Sequence, residues 1–310
     1  MPCIDFVNSV NAGILGRTKS QYRVGGVMGS IYREPAMLEI LAGMERERGP
    51  GYLNVLGFCA ADRSFRYDVT PADAITCLAT GSNGLHFAFL TDFGFAESLE
   101  QAPIISVATS DDPPIRLVAK NLRDLLRLLV TVGEAENLTL DLEELRDLNY
   151  DEYSLWRPQK VNHKGDRLSS EEYESAVVRF NRFIEERDAL REVLRKELGI
   201  EPMEDVPGYL EQLRAERAAA VVIETFDKVG ILRGSLCEEF EPFDYGTKDT
   251  GAITAYLAEG SLCRRLAFYR NASFAYIFAD DHDAPIRDLT ASSLRSDGFL
   301  HEAEAIAAAQ

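Results

Sequence analysis

"CLATGSNGLHFAFLTDFG", residues 77–94, decides how the first half of the chain folds. Its centre runs apolar on both faces, with Leu85, Phe87 and Phe89 on one and Ala88 and Leu90 on the other. A strand like that needs cover on both sides, so it belongs in the middle of a sheet. His86 is its one polar member, and a lone histidine in such a run ordinarily donates to a carbonyl of the core. Gly81-Ser82-Asn83-Gly84 precedes it, and glycine and asparagine take positive φ at low cost, so the chain reverses there. The segment before the corner, "VTPADAITCLATG", reads as a short helix. Thr70 is its cap, Pro71 its first position, Asp73 complements the dipole, and Gly81 ends it. A phosphate cradle needs strand, glycine loop, helix in that order, because the helix N-terminus supplies the N–H groups. Here the order is helix, loop, strand, so the corner reads as architecture. Asp92-Phe93-Gly94 matches the metal-binding tripeptide of protein kinases. No kinase-type glycine loop, strand lysine or H-R-D-type loop precedes it, and a turn at the strand end is the better reading.

Outward from this stretch, "APIISVA" and "IRLVA" are two more strands, separated by the turn "SDDPP". "KNLRDLLRLLVTV" is an amphipathic helix with Leu122, Leu125, Leu126 and Leu129 on one face. Upstream, a helix is predicted over residues 34–48 and stopped by Gly49-Pro50-Gly51, and "YLNVLGFCA" reads as a strand or short buried segment. Downstream, Ser169 and Glu172 form a capping-box pattern for a long helix over residues 170–198, with Tyr173, Val177, Phe180, Ile184, Val193 and Leu194 inward. "PGYLEQLRAERAAAVVIETFDKV" is a second long helix, ended by Gly230, and the two suggest a helical hairpin. "RRLAFYRNASFAYIFA" reads as two strands turning at Asn271, with a buried helix as the alternative, and "FLHEAEAIAAAQ" as a terminal helix. The predicted fold class is α+β: a mainly antiparallel sheet with flanking helices in residues 1–133, and a mainly helical part with the long hairpin in residues 134–310.

The chain has 310 residues, 46% hydrophobic and 27% charged, enough for a large core. Its net charge of −18 disfavours nucleic acid as a partner. No apolar run is long enough to span a bilayer and no signal peptide is visible, so no membrane association and a cytoplasmic location are expected. The 5 cysteines, Cys3, Cys59, Cys77, Cys237 and Cys263, are odd in number and widely spaced, which predicts free thiols.

No sequence feature calls for a cofactor. The four histidines, His86, His163, His282 and His301, have no metal-ligand spacing. Asp280-Asp281-His282-Asp283 is the most metal-like group, but successive residues cannot all face one ion, and a solvated acidic turn explains it better. There is no G-x-S-x-G elbow. Residues 134–152 hold eight acidic residues and one basic one. That run is a solvated face or a docking surface for a basic protein, with Glu143, Glu144, Asp147, Asp151 and Glu152 as the partner-binding candidates.

The order "TGSNGLHFAFL", "APIISVA", "IRLVAKNLRDLLRLLVTV", over roughly residues 55–132, resembles the SUKH superfamily of yeast cell-wall-synthesis regulators and bacterial immunity proteins. Ala119-Lys120-Asn121 stands at that family's strand-to-helix junction, and Gly81, Gly84, Leu85 and Phe87 match as scaffold. The resemblance implies an α+β domain with a mainly antiparallel sheet whose role is protein binding, often toxin neutralisation, with no catalytic residues. Two functional expectations follow. One is a non-catalytic binding module of immunity type that sets an acidic surface against a basic partner. The alternative is an enzyme whose site lies between the two halves and draws on His86 and the Asp280–Asp283 group.

Overall fold

The computed structural model describes residues 32–81, 84–148, 158–161, 166–233 and 237–308. Strands β1 Cys59–Ala60, β2 Ala74–Ala79, β3 His86–Leu90, β4 Ile104–Val107 and β5 Ile115–Ala119 form one antiparallel meander in chain order. Every residue of β3 is buried. One face of the sheet carries Phe87, Phe89, Ile104 and Val118. It is covered by α1 Ala36–Arg48, the leucines of α2 Leu122–Val132, and Leu190, Leu194 and Leu198 of α4 Ser170–Leu198. The other face, with Ala88, Leu90, Ile105, Val107 and Leu117, packs on Leu213 of α5 Val206–Ala220 and on Val229. The two-sided apolar pattern of residues 85–90 thus has the cover it demands. Each fully buried Phe contributes about 1.5–3 kcal/mol over the exposed state.

The chain reverses at the predicted corner, with Gly81 at φ 74° and Gly84 at φ 67°. A Cβ on Gly84 would lie 2.6 Å from Thr109 Oγ1, whereas one on Gly81 would meet nothing. The segment before the corner is a strand, however, and not the predicted helix. Thr70 turns its hydroxyl back to accept from Tyr67 N at 2.9 Å instead of capping forward. Ile75 and Thr76 are β-branched, and burial from Ala74 to Leu78 favours the ladder. Upstream, residues 52–56 form a 3₁₀ turn and β1 follows it.

The helix caps follow the sequence. Asn121 accepts from Asp124 N at 2.9 Å, and Ser169 and Glu172 close a capping box at the head of α4. Along α4, Arg187, Leu190, Leu194 and Leu198 are buried, while Tyr173, Val177, Phe180 and Ile184 are only half-buried. The outer edge of β5 is closed by α5: Arg214 Nε donates to Leu117 O at 3.2 Å, and Lys120 N donates to Tyr209 Oη at 2.8 Å. An edge occupied in this way is not free to pair with another chain. Helix α5 ends at Ala220, short of the predicted Gly230. Residues 221–231 instead fold back, bridging Ile223 to Ile231.

After the short α3 Leu142–Asp147 and the two long helices, the C-terminal part comprises α6 Thr250–Glu259, α7 Leu262–Phe274, α8 Ala284–Ser296 and α9 Leu300–Ala307. Residues 262–274 are a helix where strands were favoured. Leu266 to Ser273 is buried without interruption, Arg270 and Asn271 among them, so every face of the helix is enclosed. Cys237 and Cys263 are disulfide-bonded with Cα atoms 6.0 Å apart, against the expectation of free thiols. Cys59 and Cys77 are free, and Cys3 lies outside the described residues. No helix among the described residues is long and apolar enough to cross a membrane.

Candidate functional site

The β2–β3 ladder ends with Ala74 opposite Leu90. Just beyond it Thr91 N donates to Asp73 O at 2.9 Å, and Asp92 follows where the chain leaves the sheet. Asp92, Phe93 and Gly94 are all left-handed, with φ 49°, 53° and 81°. For the first two that conformation costs about 1–3 kcal/mol each. The corner is held by what it binds. Arg217 on α5 grips Asp92 with two hydrogen bonds of 2.7 Å, and also donates to Val229 O at 3.0 Å and Gly230 O at 2.6 Å. Arg270 on α7 donates to Asp73 at 2.5 Å and Asp227 at 3.2 Å, and lies 3.7 Å from Asp92. Asp227 in turn accepts from Thr225 Oγ1 at 2.5 Å and Val229 N at 2.9 Å. Three carboxylates and two guanidiniums thus meet where the sheet joins the helical part. The Arg270–Asp73 and Arg270–Asp227 pairs have side chains 0% exposed.

Electrostatics follow from burial. Burial pushes the Asp73 carboxyl up to about 6, Arg270 opposes that rise and Asp92 adds to it. Burial alone would lower Arg270, but the carboxylates of Asp73, Asp227 and Asp92 outweigh it and hold the guanidinium firmly charged. Asp73 Oδ1 and Arg270 Nε have no hydrogen bond among the described residues. No group of three or more His, Cys, Asp or Glu among those residues is arranged to hold a metal ion. The cluster locks three segments of chain to the sheet end through charge-assisted bonds, and its buried carboxylates are spent on arginines.

The residues singled out by sequence lie elsewhere. His86 is buried in β3, with Nδ1 3.2 Å from Gly84 O and Nε2 3.2 Å from Thr70 Oγ1. A carbonyl can only accept, so Nδ1 carries the proton and Nε2 accepts from the hydroxyl. Both ring nitrogens are satisfied by a neutral imidazole, and burial pushes its pKa down to about 4. Asp280 and Asp283 pair with Lys248 Nζ at 3.3 and 2.5 Å, and His282 is exposed in the same 3₁₀ turn. Arg287 donates to Asp280 O at 2.9 Å. The His86 and Asp280–Asp283 groups share no hydrogen-bond partner among the described residues. Glu143, Glu144 and Asp147 stand exposed on α3, which is anchored by buried Leu145 and by the Asp141–Glu144 capping box. Asp151 and Glu152 lie outside the described residues.

Sequence reasoning missed Arg217, Asp227 and Arg270. One signal was present: Arg270 interrupts the apolar run "LAFYRNASF", and a charge that must enter a core brings its partners with it. In comparison with known proteins, no family model matches this sequence and no curated protein matches it significantly.

Proposed function

We propose that the protein is a non-catalytic binding protein of the SUKH immunity type, which receives a basic protein partner on the acidic face of α3. The observation that carries this reading is the exposure of Glu143, Glu144 and Asp147 together on a short helix anchored by its N-terminal capping box and by buried Leu145. Carboxylates on a rigid element steer a basic partner and hold it without an ordering cost. The excess negative charge of 18 acts in the same direction over a longer range. An antiparallel sheet closed by a helix is also the arrangement the SUKH resemblance implies. The reading keeps a cytoplasmic location, although disulfides such as Cys237–Cys263 are uncommon in reducing compartments.

The test is affinity capture from the native host at low and at high salt. The wild type is compared with a double charge reversal, Glu143→Lys and Asp147→Lys, which leaves the Glu144 capping box in place. The wild type should retain a basic protein at low salt and shed it at high salt, and the variant should retain none while melting normally. A variant that holds the same partner as the wild type sinks the reading.

A further inference from the structure

Helix α9 lies over the Asp92–Gly94 corner. Phe299, its N-cap, packs on Phe93 with ring centroids 5.4 Å apart, and Arg233 lies over the Phe299 ring at 5.1 Å while donating to Phe93 O. His301 meets the Tyr32 ring edge-on at 5.9 Å. Between these contacts Glu302 points inward and is 2% exposed. Its partner is Thr91 Oγ1 at 3.3 Å. The same hydroxyl lies 3.0 Å from Asp73 O.

A hydroxyl has one proton. The Thr91 hydroxyl is therefore divided between the Asp73 carbonyl at 3.0 Å and Glu302 Oε1 at 3.3 Å. A shared, long bond compensates a buried carboxylate poorly, which favours the neutral acid. The surroundings of Glu302 favour the same state. Asp73 faces it from the sheet end and disfavours a second negative charge there, and Arg233 opposes that only weakly. The Tyr32 hydroxyl hydrogen-bonds Thr91, and α8 contributes apolar Ile286, Ala291 and Leu294 to the shared core. Ionising Glu302 would leave a buried charge without a cation in contact.

We propose that docking of α9 is proton-gated: a neutral Glu302 closes the helix over the left-handed corner, and loss of its proton releases the helix and uncovers Phe93 and the charge cluster beneath. Burial first, and then Asp73, raises the Glu302 carboxyl to about 7. In the released helix it titrates as an ordinary carboxyl, near about 4.3. The closed state therefore binds the proton more tightly. Its advantage is complete below the ordinary value and is lost as pH rises through the raised one.

The experiment is hydrogen exchange of the α9 amides in the full chain from about pH 5 to about pH 8, with exchange in Glu302→Gln measured at each pH to remove the intrinsic rate. The glutamine amide donates to Thr91 without titrating. Wild-type opening relative to the variant should rise by up to tenfold per pH unit until about pH 7 and then level off. Equal opening in the two proteins at every pH overturns the proposal. Should Glu302→Gln fail to fold, the wild type alone decides. Protection of α9 relative to the buried end of α4 must then fall across the same range, and a constant ratio overturns the gate.

Discussion

Glu143, Glu144 and Asp147 on α3 stand in water, while Asp73, Asp92 and Asp227 lie buried at the end of the β2–β3 ladder. The two groups have the same chemistry and nearly opposite energetics. An exposed carboxylate is screened, and its pairings contribute little to stability. A buried one has lost its hydration and needs a cation in contact, so each aspartate of the junction dictates where an arginine must be. Under the proposed binding role the surface group meets the partner, whereas the buried group is committed to Arg217 and Arg270. This difference separates exposed from structural carboxylates in a chain with 51 acidic residues, where composition alone cannot.

The comparison breaks most visibly at Arg270. Arg270→Met keeps much of the volume and removes the charge, leaving Asp73 and Asp227 facing each other without their cation. The expected loss is about 3–5 kcal/mol in urea melts at neutral pH. The deficit should shrink at lower pH. With the arginine gone the Asp73 carboxyl titrates higher still, and protonation removes its uncompensated charge. A loss under about 1 kcal/mol, or one independent of pH, would mean that water reaches the cluster and the junction is not dry.

That junction was the least legible part of the sequence. Arg270 and Asp73 are 197 residues apart, and no local pattern joins them. The misreading of residues 69–81 as a helix has the same root. Thr70, Pro71 and Asp73 look like the opening of a helix, but Asp73 is recruited by Arg270 and Thr70 by Tyr67 and His86. In residues 262–274 phenylalanine and tyrosine suggested strands, and burial on every side overrode that preference. What was legible was local or strictly periodic. The two-sided run of β3, the leucine face of α2, and the Ser169–Glu172 cap of α4 each express one element's own geometry. The acidic character of α3 was legible too, because exposure asks nothing of the rest of the chain.

An intermediate case sharpens the comparison. Arg265 grips Asp297 through bonds of 2.8 and 2.6 Å, and Tyr269 Oη donates to the same carboxylate at 2.7 Å. The side chains of the pair are 21% and 11% exposed, so water still reaches them. Arg265→Gln should cost about 1–2 kcal/mol by the same urea melts, less than Arg270→Met, because Asp297 keeps the tyrosine and part of its hydration. A loss as large as that at Arg270 would show that bond geometry, and not burial, sets the scale.

The smallest effect is expected at Arg146, which pairs with Glu211 at 2.9 Å with side chains 49% and 63% exposed. Its bond is about as short as those of the buried cluster, so distance alone would rank it with them. Exposure argues otherwise. Both groups keep most of their water when the pair breaks, and long side chains regain rotamer freedom. Arg146→Gln should shift stability by no more than about 0.5 kcal/mol, and adding salt to the wild type should have as little effect. The substitution also makes α3 more acidic, so capture of a basic partner should strengthen while the melting curve stays in place. A measurable stability loss would instead mean that the pair ties α3 to α5. The acidic helix would then belong to the architecture it was contrasted with.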